Sequence, residues 1–261
     1  MNSKETLYSA GLDIGSALSK AVIMKNRTVL SSSVRPTEGN FSHAANTVLN
    51  DALEKAGLSH SDLASIGACG LGASFLAYPF TKITEISCHS RGVNYFFPSV
   101  RTVIEVGNQA SRVINVTKEG KVADCIVSDR CAAGSSRILQ IIAKVLKVDL
   151  KDMGPLSLKS TNPVRFTTGC AVFAETEAIS RVAEGMRKED IIAGLHQALA
   201  ARISAMAQRI KLKEECAITG GGAKDIGLVR AVEGKIEKKL LVSDDPFITG
   251  AIGAALIAVE K

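Results

Sequence analysis

The segment LDIGSALSKAVIM (residues 12–24) aligns without a gap on IEVGNQASRVINV (residues 104–116), 92 residues further along the chain. Asp13 falls on Glu105, Gly15 on Gly107, Ser16 on Asn108, Ser19 on Ser111 and Lys20 on Arg112. Each copy reads as an apolar strand ending in a carboxylate, a tight turn of glycine and small polar residues, then a second apolar strand. Such a hairpin presents backbone N–H groups with little side chain in front of them, which is what a chain of phosphates needs. Lys20 and Arg112 add positive charge, while Asp13 and Glu105 are oxygen acceptors suited to Mg²⁺ or to orienting an attacking water. Gly15, Ser16, Ser19, Lys20, Gly107 and Gln109 are therefore candidate nucleotide contacts, with Asp13 and Glu105 as candidate catalytic groups.

Around the two hairpins the pattern continues in parallel. TVLSSSV (28–34) follows the first and KVADCIV (121–127) the second, and each precedes a stretch with helical periodicity, near 43–57 and 133–147. The second half adds predicted helices near 171–184, 188–212, 225–239 and 247–260 and the strand ECAITGGGAK. The chain is expected to form two related α/β halves, residues 1–100 and 101–261, facing one another across a cleft, with the terminal helix available to pack back on the first half. After the strand at 216–219, Gly220, Gly221, Gly222 and Lys224 open a turn into a helix, where a flat ring can approach the backbone or a phosphate can sit on the helix N-terminus. Neither GxxxxGK[ST] nor GxGxxG is present, so the two commonest phosphate loops are excluded.

The 261 residues include 46% apolar but only 4% aromatic residues and no tryptophan, a balance that suits α/β layers. The net charge of +6 is mild, and the basic residues are scattered without interleaved aromatics, which argues against a nucleic-acid partner. No run approaches the roughly 18 apolar residues of a membrane span, and the N-terminus has no signal-like core. A cytoplasmic protein without membrane association is expected. In that compartment six cysteines are not a disulfide framework. Four of them, Cys69, Cys88, Cys125 and Cys216, read as structural; Cys131 and Cys170 instead stand directly before small residues at predicted helix starts, neither with a CxxC neighbour.

The segments GLDIGSALSKAVIM, EISCHSRG, CAAGSSRILQIIA, TTGCAVFAETEAISRVAEGMRKEDIIAGLHQALAARI, TGGGAKDIGLV and TGAIGAALIA, in this order over nearly the whole chain, resemble the BadF/BadG/BcrA/BcrD ATPase family. That family contains activators of 2-hydroxyacyl-CoA dehydratases and ATPase subunits of benzoyl-CoA reductase. The resemblance implies the actin-like ATPase fold shared with sugar kinases and heat-shock ATPases. It also implies a homodimer in which Cys131 and Cys170 of each chain hold one [4Fe-4S] cluster, ATP or ADP with Mg²⁺ as ligands, a ferredoxin or flavodoxin as electron donor, and an acyl-CoA dehydratase or reductase component as acceptor. Glu175, five residues into the second cysteine helix, is placed by analogy near the nucleotide ribose; its other reading is a solvated helix face.

Two motifs depart from the family pattern. The second hairpin, usually similar to DIGGQDSK, is EVGNQASR, so Glu105 replaces aspartate and Ala110 stands where a carboxylate is usual; CAAGSSR replaces CAAGTGR. An added methylene moves a carboxylate by more than an ångström, which matters where water is aligned. A small-molecule kinase of the same superfamily, with Glu105 or Asp13 as base, and a non-hydrolysing nucleotide-binding subunit therefore stand as alternatives to an iron–sulfur ATPase.

Overall fold

Each hairpin read from the sequence lies inside a five-stranded sheet, and the two sheets follow the same path. The computed structural model describes residues 6–128, 132–167 and 170–260. Strands β1 (Tyr8–Ile14), β2 (Leu18–Lys25), β3 (Thr28–Pro36), β4 (Leu63–Cys69) and β5 (Thr81–Lys82) run in the order β3-β2-β1-β4-β5. Strands β6 (Thr102–Val106), β7 (Ser111–Val116), β8 (Val122–Val127), β9 (Cys216–Thr219) and β10 (Leu240–Leu241) run in the order β8-β7-β6-β9-β10. In both sheets the first strand pairs antiparallel with the second and parallel with the strand that arrives after the helices. β1 and β6 are buried almost throughout, as strands in the middle of a sheet covered on both faces must be.

Two helices accompany the first sheet before the chain enters the second. In α1 (Phe41–Ala56) the buried residues Ala44, Ala45, Val48, Leu49, Ala52 and Leu53 recur at helical spacing. The Asn40 side chain caps its start by accepting from the His43 N–H, and Gly57, at φ 66°, ends it in the left-handed region. α2 (Glu85–Phe96) begins at Thr84, whose hydroxyl accepts from the Ser87 N–H. The second sheet carries α3 (Arg137–Leu146), α4 (Leu150–Ser157), α5 (Ala171–Ala183), α6 (Lys188–Ile210) and α7 (Ile226–Ile236) around a core built from Ile104, Ile142, Met153, Ile191, Leu199 and Ile218, among others. No helix among the described residues is long and apolar enough to cross a membrane.

The last helix, α8 (Thr249–Val259), folds with the first sheet: Met1–Ser99, Val116–Val122 and Ser243–Lys261 form one compact unit, and Val100–Asn115 with Ala123–Val242 the other. α8 is apolar all round and buried along nearly its whole length, the signature of a helix enclosed by other elements. Small residues let backbones meet there. A Cβ on Gly11 would lie 1.9 Å from the Ala251 carbonyl oxygen, one on Gly92 1.9 Å from that of Thr249, and one on Gly253 1.8 Å from that of Cys88. Sequence periodicity did not mark α2 or α4. α4 is only eight residues long and contains Pro155, which removes one helical hydrogen bond and blurs the pattern.

Candidate functional site

The hairpin register decides where the charges go. In β1/β2 Asp13 pairs with Lys20, and in β6/β7 Glu105 pairs with Arg112. Residues directly opposite in an antiparallel pair project from the same face, so each carboxylate meets its cation. Lys20 Nζ donates to Asp13 Oδ2 at 2.9 Å, with both side chains largely buried, and Arg112 Nη1 donates to Glu105 Oε2. Charge-assisted bonds of this kind hold the carboxylates in one orientation at the ends of β1 and β6.

The turns themselves are duplicates. The Gly15 N–H donates to the Leu18 carbonyl at 3.1 Å, and the Gly107 N–H to that of Ala110 at 3.0 Å. A Cβ at Gly107 would fall 2.4 Å from Glu105 Oε1, and at Gly15 2.9 Å from the Leu18 oxygen, so a side chain at either place would crowd its own turn. Ser16 is half-buried in the first turn, and Gln109 is exposed at the tip of the second. Ser19 is fully buried; its hydroxyl is shared with Thr37 at 2.9 Å, and Thr37 in turn donates to the Gly15 carbonyl at 2.8 Å. Its counterpart Ser111 is equally buried and donates to the Gly134 carbonyl at 2.7 Å. Both serines brace the turns from behind.

Behind the second turn the bracing reaches the segment that follows Cys131. Ser136 donates to the Gly107 carbonyl from its N–H at 2.9 Å and its hydroxyl at 3.0 Å, and the Ser135 hydroxyl donates to the Asn108 carbonyl at 3.0 Å. Gln140, one turn into α3, donates to Asn108 Oδ1 at 3.1 Å. Three of the residues that depart from the family pattern, Asn108, Ser135 and Ser136, thus tie this turn to the start of α3. Small hydroxyl residues next to glycine were the only trace of this strap in the sequence.

The third glycine segment meets the same carboxylate. Gly220, at φ 83°, opens the 3-10 turn Gly221–Lys224, and a Cβ on it would lie 2.8 Å from the Val106 oxygen and 3.1 Å from Glu105 Oε1. A Cβ on Gly222 would lie 2.5 Å from a Val106 methyl. Close packing against β6 therefore accounts for the glycines at 220 and 222, and it brings Glu105, Gly107 and Gly220 together. Gly221 is half-buried, and Lys224 is exposed at the end of the turn.

Cys170 is the N-cap of α5 and half-buried, lining a small cavity with Ala133, Ile138, Phe166, Ala174 and Leu199. A thiol there faces the positive end of the helix dipole, which favours a thiolate or an anionic ligand. Cys131 lies outside the described residues. Among the described residues no three His, Cys, Asp or Glu side chains gather as a metal site. A cysteine thiol at a helix start is the donor type that an iron–sulfur cluster takes. By contrast, the hydrogen bond with Cys88 and then burial push the Cys69 thiol well above its ordinary range, and burial raises that of Cys216. Those thiols stay protonated within the packing. Beyond Cys170, α5 exposes Val172 (68%), Phe173 (66%), Ile179 and Val182, with Glu175 exposed on the same helix.

Two sheets of identical strand order, each bearing a carboxylate-ended hairpin, define the actin-like α/β ATPase fold. A ROK family glucokinase from Streptomyces griseus shares this fold at a TM-score of 0.60, over 97% of this chain and 100% of that one, with 13% identity. The chain belongs to the BadF/BadG/BcrA/BcrD ATPase family, which matches residues 10–258. It is 37% identical over 255 residues to the 2-hydroxyisocaproyl-CoA dehydratase activator of Clostridioides difficile, covering 98% of this chain and 96% of that protein. The solved structure of the activator of the 2-hydroxyisocaproyl-CoA dehydratase from Clostridium difficile with bound ADPNP matches at a TM-score of 0.93 and 37% identity, over 97% of this chain and 95% of that one.

Proposed function

We propose that this protein hydrolyses ATP and couples the hydrolysis to low-potential, one-electron transfer that activates a 2-hydroxyacyl-CoA dehydratase or a related acyl-CoA reductase. The observation that carries this reading is the strap from Gly107 and Asn108 to Ser135 and Ser136, because it joins a phosphate-type turn to the segment that begins at Cys131. Family membership and the ADPNP bound by a 37% identical relative support ATP as the ligand.

The turns at Gly15 and Gly107 offer backbone N–H groups to the phosphates, with Ser16 and Gln109 beside them and Lys20 supplying charge. Ser19 acts through the turn, bracing it from behind. Asp13 and Glu105 are the oxygen ligands or water-orienting groups for Mg²⁺-dependent hydrolysis. Gly220, Gly221, Gly222 and Lys224 form the adenosine turn, and Glu175 is available to the ribose. Cys131 and Cys170 from each of two identical chains hold one [4Fe-4S] cluster, which supplies a one-electron carrier when bound. The exposed apolar residues of α5 next to Cys170 suit the face through which two chains meet. A ferredoxin or flavodoxin is the donor and the acyl-CoA enzyme component the acceptor. Binding of nucleotide at the second turn then shifts Ser135 and Ser136, and with them the surroundings of the thiolates.

Anaerobic purification followed by iron quantitation and an ATPase assay tests the reading. The expected result is brown protein with about four irons per dimer, lost in Cys170→Ala and kept in Cys69→Ala, together with MgATP hydrolysis. Full iron content in Cys170→Ala would overturn the ligand assignment, and iron-free protein that phosphorylates a sugar would favour a kinase instead.

A further inference from the structure

His196 left no mark in the sequence, yet its side chain is only 2% exposed and its Nε2 lies 3.1 Å from Asp225 Oδ2. Asp225 joins the third glycine turn to α7, ending the one and capping the other. Its Oδ1 accepts from the Leu228 N–H at 2.9 Å, capping the helix, and its own N–H donates to the Gly222 carbonyl at 3.2 Å. α4 closes the other side with backbone. A Cβ on Gly154 would lie 2.7 Å from Asp225 Oδ1, and one on Gly227 2.0 Å from Ser157 Oγ and 2.8 Å from His196 Nδ1. The Ser157 hydroxyl is already donated to the Gly154 carbonyl at 2.8 Å. Neither nitrogen of His196 nor Oδ2 of Asp225 has a hydrogen-bond partner of good geometry among the described residues.

A buried carboxylate oxygen and a buried imidazole without hydrogen-bond partners are costly, and the two lie within reach of each other. The contact spans α6 and the start of α7, so it fixes where Asp225 sits and, through the Gly222 carbonyl, where the turn at 220–224 sits. We infer that His196 is a positioning residue for the adenosine side of nucleotide binding: it holds Asp225, and Asp225 holds the glycine turn in the form that receives the adenosine. This rests on the proposed assignment of that turn to adenosine. His196 touches no reacting atom, so its loss acts on nucleotide affinity and leaves the chemical step unchanged.

The test compares wild type with His196→Leu, which fills the space without a polar atom facing Asp225, and His196→Gln, whose amide reaches the same point as Nε2. Fluorescence titration with an adenine nucleotide is run against competition by inorganic tripolyphosphate, with circular dichroism as the check on folding. His196→Leu should weaken ATP roughly tenfold, the scale of leaving a buried carboxylate oxygen without its polar neighbour, leave tripolyphosphate affinity and the single-turnover rate at saturating ATP within about twofold, and be rescued by His196→Gln. If the leucine variant is unfolded, Asp225→Asn, which keeps the capping oxygen and alters the one facing His196, should give the same selective loss. Wild-type ATP affinity in the folded variants would overturn the inference while the ATPase reading stands. Equal loss of ATP and tripolyphosphate would also overturn it, by exposing general damage to the fold. A wild type that does not bind ATP would instead bring down the ATPase reading and the inference with it.

Discussion

Glu105 shows how one residue meets several demands at once. Its carboxylate takes Arg112 on one oxygen and lies against the turns at Gly107 and Gly220 with the other. Ala110, where the family pattern has a carboxylate, is buried and offers no substitute acid. If Glu105 orients the attacking water, Glu105→Gln keeps the turns and the side-chain volume, so nucleotide binding is retained while hydrolysis slows by roughly 10²-fold or more. Single-turnover hydrolysis of both proteins, with calorimetry for binding, reads this out. Equal rates would place the chemistry elsewhere or identify a passive nucleotide binder.

Among elements, the crossing of α2 with α8 and the strap behind the second turn have different sensitivities. Gly92 and Gly253 sit where the two helix backbones touch, so even a methyl must push them apart. Gly253→Ala should lower unfolding stability by about 1–3 kcal/mol or more, the usual cost of overpacking, as measured by urea denaturation. An unchanged midpoint would show that α8 shifts freely. The strap is milder to break. Ser136→Ala removes the side-chain bond to the Gly107 carbonyl and leaves the backbone bond, so stability should fall by only about 1 kcal/mol. If hydrolysis drives electron transfer as proposed, ATP hydrolysis should persist in this variant while electron delivery to an acyl-CoA dehydratase per ATP hydrolysed falls. Coupling equal to wild type would remove the strap from the mechanism.

For the molecule as a whole, the sharpest question is association. α5 leaves Val172 and Phe173 about two-thirds exposed, beside the thiol of Cys170. If two chains share a cluster across this face as proposed, Phe173→Asp should leave the ATP turns intact yet reduce the mass from dimer to monomer in anaerobic sedimentation, with iron lost alongside. A dimer that retains its iron after this change would mean that another surface joins the chains.

What the sequence determined by itself is what repeats or recurs locally. Asp13 through Lys20 and Glu105 through Arg112 could be aligned because strand, turn and strand leave their imprint within one short stretch, and antiparallel register then fixes the carboxylate–cation pairs. α1, α3, α5, α6 and α7 were legible because an apolar face repeats every turn, α8 because it is a long run of small and apolar residues, and Cys170 stood out at a helix start. Tertiary structure alone decided the rest. α4 escaped notice because eight residues with a proline carry too little periodicity. The strap from Ser136 to Gly107 and the approach of His196 to Asp225 each join residues 29 apart in the chain. Contacts of that kind obey no period: they exist only once packed helices and sheets have excluded water and left buried polar groups to find one another.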